Sequence, residues 1–187
     1  MPPRIRFTKE DIIEAAVELV RREGEGAINA RAIAAQLGCS TQPLFREYGS
    51  MDEIRRDVFG RAWEKYGEYI KRISTSADRT YKGTGMAYIK FAMDEPELFR
   101  MIFMCDRRGT VPGQDPTIDY VLESLMRAAD FTRDEAIRFH KHMWIYVHGL
   151  AVMQATHFFD IDESEISRML SEEYMAMMER FRRLRLD

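Results

Sequence analysis

Residues 29–54, NARAIAAQLGCSTQPLFREYGSMDEI, hold two short helical stretches around a glycine. The first runs from Asn29 to Leu37, with Asn29 as a natural N-cap and Ile33, Ala34 and Leu37 at helical spacing. Gly38 supplies the break, because glycine turns this tightly at little steric cost. The second stretch opens at Ser40 and runs to about Tyr48. Leu44 and Tyr48, four apart, face inward and leave Thr41, Gln42, Phe45 and Arg46 facing out. Two helices arranged this way make a helix-turn-helix, whose second helix enters the major groove of DNA.

The pattern Gly38, Ser40, Leu44-Phe45, Tyr48, Ser50, Asp52-Glu53 resembles the DNA-binding signature of tetracycline-repressor-type (TetR) regulators. The similarity covers roughly residues 8–60. It implies an all-α homodimer whose three N-terminal helices bind a palindromic operator and whose larger C-terminal half senses a small molecule and dimerises. Residues 1–50 are then the DNA-binding head, and residues 51–187 the sensing and dimerisation domain. Asn29, Arg31 and Tyr48 carry over as phosphate contacts, with the N-terminus of helix two adding its dipole. Three positions depart from the family pattern. Phe45 stands where a tyrosine reaches phosphate, Met51 replaces a lysine, and Cys39 replaces a valine. The first two remove expected phosphate contacts.

Chemistry assigns the reading side chains. Gln42 suits an adenine edge, and Arg46 reaches guanine or phosphate. Thr41 and Pro43 can touch thymine methyl groups, and Ser40 and Phe45 complete the exposed set. An ordinary solvated helix surface could carry the same residues; the surrounding motif favours base contact.

At 187 residues the chain can build a substantial core as one large or two small domains. Its 45% hydrophobic fraction fits a folded chain rather than a disordered one. No apolar stretch approaches the roughly 18 to 20 residues that span a bilayer. The start, MPPRIRFTKEDI, lacks an apolar signal core, so a cytoplasmic location is expected. Cys39 and Cys105 lie far apart without metal-ligand spacing, and a disulfide is not expected.

The net charge of -3 is unusual for a nucleic-acid binder, which normally carries a basic footprint. Within residues 1–48 the seven bases Arg4, Arg6, Lys9, Arg21, Arg22, Arg31 and Arg46 are balanced by seven acids. Which face carries which sign matters more than the sum. The expectation is few phosphate ion pairs and a shallow salt dependence.

Elsewhere the chain reads as helices, with no strand-like alternation. Thr8 caps a first helix whose inner stripe is Ile12, Ile13, Ala16, Val17 and Val20, ended by Gly24 and Gly26. A fourth helix begins after Ser50 and runs to about Ile73, with Ile54, Val58, Ala62 and Tyr69 inward. The segment STSADRTYKGTG reads as a loop before a helix containing Met86 to Ala92. Pro96 starts the next helix, residues 106–116 read as an exposed loop, and a seventh helix spans about Thr117 to Ala129. Thr132 and Glu135 form a capping box opening a helix to about Phe158. Asp162 with Glu165 caps a last helix to about Arg183.

Ala87 to Ala92, Pro96 to Arg100 and Trp144-x-x-x-His148-Gly149-Leu150 are similar to the sensor half of one TetR subgroup, named for its Trp-His-Gly helix. Ten of the thirteen methionines lie between Met93 and Met178. Methionine and aromatic side chains line pockets for varied apolar ligands. The candidate ligand-binding residues are Tyr88, Phe91, Phe99, Phe103, Met104, Tyr120, Trp144 and His148, each of which is individually also suited to an ordinary core. His140, Trp144 and His148 share a helix face, yet two histidines eight apart cannot share one metal ion. No metal and no cofactor is expected.

The last two helices are expected to dimerise. Ile145, Val147, Leu150, Ala151, Met153, Gln154 and Ala155 on one, and Ile166, Met169, Leu170, Met177, Met178 and Phe181 on the other, provide more apolar surface than one buried face needs. Four such helices from two chains make a bundle with two-fold symmetry. The sequence thus points to a ligand-responsive DNA-binding regulator, a repressor released from a palindromic operator by a small apolar or aromatic effector. The alternative is a helical ligand carrier or enzyme without a DNA role. No catalytic residues are expected, because the C-terminal half lacks paired carboxylates, a nucleophile with its base, or a phosphate loop.

Overall fold

The computed structural model describes residues 7–74, 81–106 and 118–184, and among these every regular element is helical. In chain order they are α1 (Lys9–Glu23), a 3-10 turn (Glu25–Ala27), α2 (Ala30–Gln36), α3 (Gln42–Glu47) and α4 (Met51–Ser74). They continue with α5 (Tyr81–Asp94), α6 (Pro96–Phe103), α7 (Ile118–Ala129), α8 (Arg133–Ala155) and α9 (Glu163–Leu184). The expected loop over residues 106–116 lies almost wholly outside the described residues. No described helix is long and apolar enough to cross a membrane.

Side-chain capping fixes the starts of α1, α2, α8 and α9. The Thr8 hydroxyl accepts from the Asp11 amide at 3.2 Å while the Asp11 carboxylate takes the Thr8 amide at 2.8 Å. This closes a capping box. Those hydrogen bonds hold the Asp11 carboxyl below its ordinary range. Asn29 caps α2 through Oδ1, which accepts from the amides of Arg31 and Ala32. Thr132 and Glu135 form a second capping box on α8, and the Glu165 amide donates to Asp162 Oδ1 at 2.9 Å.

The chain packs as two compact units. The first comprises Met1–Tyr66 with Glu95–Gly113. Its centre is the fully buried Ile12, Ala16, Val17 and Val20 of α1 with Ile33, Leu44, Ile54 and Val58. Helix α6 joins this unit across a long gap in sequence: Arg21 of α1 pairs with Glu95 at 2.5 Å. Trp63, Tyr66 and Phe103 meet edge to face at 5.1 to 5.6 Å. Arg61 of α4 reaches both Glu10 and Glu14 of α1 at 2.5 Å, tying the two helices together on the surface.

The second unit comprises Gly67–Asp94 with Gln114–Asp187. Its core gathers Leu122 and Leu125 of α7, Phe139 and Met143 of α8, and Met177, Met178 and Phe181 of α9. Helix α5 packs most extensively on α8.

Three expectations need correction. Residues Tyr81 to Gly85 are helical, although the segment STSADRTYKGTG, low in apolar residues, reads as a loop. Packing overrides weak propensity here. The Tyr81 ring lies among Phe139, His140 and Tyr174, and a Cβ on Gly85 would meet Leu170 and Val147 at 3.6 Å. Helix α8 ends at Ala155 instead of about Phe158. His157 takes φ 53°, and the amides of His157 and Phe158 bind back to Gln154 and Met153, a Schellman closure without glycine. Helix α3 begins at Gln42 instead of Ser40, because the preceding turn extends through Cys39.

Candidate DNA-binding and effector sites

The turn between α2 and α3 is a second Schellman closure. Gly38 at φ 66° donates its amide to Ala35, and the Cys39 amide donates to Ala34 at 2.9 Å. A Cβ on Gly38 would meet nothing within 4 Å, so backbone conformation alone favours glycine there. Pro43 sits in the first turn of α3, where its missing N–H leaves no helical bond unmade.

Leu44 is fully buried beneath α3, while Gln42, Phe45 and Arg46 are exposed on its far side and Thr41 and Pro43 are half-buried. Ser40 is exposed in the preceding turn. Phe45 is half-exposed to solvent, at 50%, and Arg46 keeps only a loose pairing with Glu47 at 3.4 Å. This is one continuous outward surface of polar and aromatic groups on a short helix held from below by its one apolar anchor. Met51, at the start of α4, is half-buried.

Two expected phosphate contacts are differently placed. Tyr48 is only 2% exposed; its hydroxyl donates to Asp57 of α4 at 3.0 Å, and Lys9 of α1 sits 4.6 Å from its ring centre. Burial first, then the Asp57 carboxylate, pushes the phenol well above its ordinary range and keeps it protonated. The structure therefore does not bring Tyr48 to the outer surface, since its spacing from Leu44 puts both in the core. Asn29 is exposed, but Oδ1 caps α2 and Nδ2 donates to Ala27 at 3.1 Å. Arg31 is exposed.

The ligand candidates fall into two sets. Phe99, Phe103 and Met104 belong to the first unit, where Phe99 is buried against Phe103 at 5.2 Å and Met104 is exposed. In the second unit the Tyr88 hydroxyl lies 2.9 Å from His148 Nδ1, and Trp144 stacks on His148 at 4.8 Å, 10° from parallel. Burial holds the His148 imidazole below its ordinary range and favours the neutral ring. Phe91 is buried against Tyr69 at 5.4 Å. The side chain of Tyr120 lies outside the described residues. His140 is engaged separately, 3.1 Å from the Tyr81 hydroxyl. Tyr81, Trp63 and Tyr66 carry no sequence signal of their own: the first sits in a segment that reads as a loop, and the others fall between the inward positions of the fourth helix.

The apolar residues of α8 and α9 divide unevenly. Val147, Leu150, Ala151, Ala155, Ile166, Leu170, Met177, Met178 and Phe181 are buried within their own unit. Gln154 is buried too, its Nε2 donating to the Ile161 carbonyl at 2.7 Å. Met153 and Met169 are half-buried, and Ile145 is exposed, as are Ile137, Trp144 and Met175. Among the described residues no group of three or more His, Cys, Asp or Glu side chains could hold a metal ion.

Comparison with known proteins adds independent findings. A family model for the tetracyclin repressor-like C-terminal domain matches residues 82–178. The chain is 22% identical over 167 residues to the uncharacterized HTH-type transcriptional regulator YobS of Bacillus subtilis, covering 87% of each chain. It is 22% identical over 185 residues to the uncharacterized HTH-type transcriptional regulator Rv0681 of Mycobacterium tuberculosis, covering 94% of this chain and 83% of that one. The crystal structure of a TetR-like transcriptional regulator from Rhodococcus sp. RHA1 shares the fold. Its TM-score is 0.66 at 16% identity, over 96% of this chain and 97% of that one.

Proposed function

The chain belongs to the tetracyclin repressor-like family, and on that premise we propose that it is a ligand-responsive, DNA-binding transcriptional regulator and not an enzyme. One observation carries the reading: the exposed Gln42, Phe45 and Arg46 surface of α3, propped by buried Leu44 behind a glycine turn. Gln42 offers a paired donor and acceptor to adenine, and Arg46 a forked donor to guanine or to phosphate. Ser40, Thr41 and Pro43 lie beside them, and Arg31 contacts the backbone. Residues 1–50 act as the DNA head and residues 51–187 sense the effector and dimerise, working in the cytoplasm.

The protein acts as a homodimer through α8 and α9, with two recognition helices meeting half-sites of a palindrome about one turn of DNA apart. Exposed Ile145 and Met175 support that surface. The effector is a small apolar or aromatic molecule recognised in the second unit beside Tyr88, Trp144 and His148, and its binding releases the operator. Helix α4, continuous from Met51 to Ser74, is the covalent route of the signal. Release requires the effector to bind the two states unequally, by about 1 to 3 kcal/mol.

Selection of bound duplexes from a random library, followed by displacement with a panel of metabolites, tests the whole reading. A palindromic consensus and at least one displacing compound are expected. A Gln42→Ala protein that still discriminates fully between the consensus and its single-base variants removes Gln42 from the reading set.

A further inference from the structure

An exposed phenyl ring on a polar reading surface is chemically conspicuous. At about 100° per residue, Phe45 and Arg46 project on opposite sides of Gln42, so the three share one outward arc. Phe45 leaves half of its surface in water, although water-exposed aromatic surface is unfavourable. The ring has no hydroxyl with which to reach a phosphate and no donor or acceptor with which to read a base edge. The apolar group that base edges of the major groove present is the C5-methyl of thymine.

Resting on the DNA-binding reading above, we propose that Phe45 is a specificity-determining residue that packs against a thymine methyl in each half-site. It selects thymine by the presence of the methyl group, while Gln42 and Arg46 read neighbouring pairs by hydrogen bonds. The exposed ring then gains apolar cover on binding, and a cytosine at that position leaves it uncovered.

The test uses the full-length protein and the tightest duplex selected from a random library, with each thymine replaced singly by deoxyuridine. Deoxyuridine removes the methyl and leaves every hydrogen-bonding group in place. One thymine per half-site is expected to weaken binding about fourfold on replacement, the factor carried by one buried methyl group. Phe45→Ala binds the thymine and deoxyuridine duplexes equally, and Phe45→Leu retains the difference. Phe45 is exposed, so both variants are expected to keep the wild-type melting temperature. A duplex bound tightly with no position sensitive to deoxyuridine overturns the proposal and leaves DNA binding intact. So does sensitivity that persists undiminished at every such thymine in Phe45→Ala, or a loss in Phe45→Ala that is the same on every duplex, which marks a sugar–phosphate contact. If no duplex is enriched, the DNA-binding reading falls and the proposal with it.

Discussion

Replacing Tyr48 separates an internal brace from a DNA contact. The Tyr48 side chain is 2% exposed and its hydroxyl donates to Asp57 at 3.0 Å. Phe in its place keeps the ring and the Lys9 contact while deleting one hydrogen bond. A bond to a charged group is worth roughly 1.5 to 3 kcal/mol. Asp57 is exposed and regains water when the bond is lost, which lowers the expected cost of Tyr48→Phe to about 1 kcal/mol. Tyr48→Ala removes the whole buried ring and costs about 3 to 5 kcal/mol, as other aromatic truncations in cores do. Urea denaturation at fixed protein concentration measures both, and a double-mutant cycle with Asp57→Ala is expected to return a coupling of about 1 kcal/mol. On the selected duplex, Tyr48→Phe keeps affinity within about twofold at constant salt, because a hydroxyl held by Asp57 makes no phosphate contact. A tenfold loss of DNA affinity with unchanged stability would refute this reasoning and return the hydroxyl to the DNA surface. A Tyr48→Ala cost no greater than that of Tyr48→Phe would show that the ring is not part of the core.

Gly85 lies inside α5 with ordinary contact distances to Leu170 and Val147; Gly85→Ala is expected to stabilise by about 0.5 to 1 kcal/mol through helix propensity, and Gly85→Leu to destabilise by about 1 to 3 kcal/mol through overpacking. Thermal denaturation of the two variants must move in opposite directions. With Phe45 and Met51 where the family pattern has phosphate-binding residues, the slope of log affinity against log salt should be shallower than about -8, and a steeper slope in a titration series contradicts the inventory of contacts. Burial lowers the His148 pKa in the folded chain, so the unfolded chain binds that proton more readily. Stability therefore falls as pH drops below about 6.5, the ordinary histidine value. His148→Asn flattens the wild-type melting curve against pH between about 7 and 5, and an unchanged slope rules out His148 as its source.

Much of this protein is legible residue by residue, because its strongest signals act within one helical turn. Thr8 with Asp11, Asn29 with the amides of Arg31 and Ala32, and Thr132 with Glu135 need only neighbours two or three residues away. Gly38 needs only its own backbone angle, and the apolar period of α1 and α4 states which sides are buried. These local rules suffice for an all-helical chain with a helix-turn-helix, and they place Gln42, Phe45 and Arg46 outward. Long-range packing governs the rest. The helical state of Tyr81 beside His140, 59 residues away, and the pairing of Tyr88 with His148, 60 residues away, arise from distant partners. Capping and periodicity depend on bonds a few residues apart, which a string of letters contains. Burial and pairing depend on which distant surfaces exclude water together, and that is settled only when the helices pack.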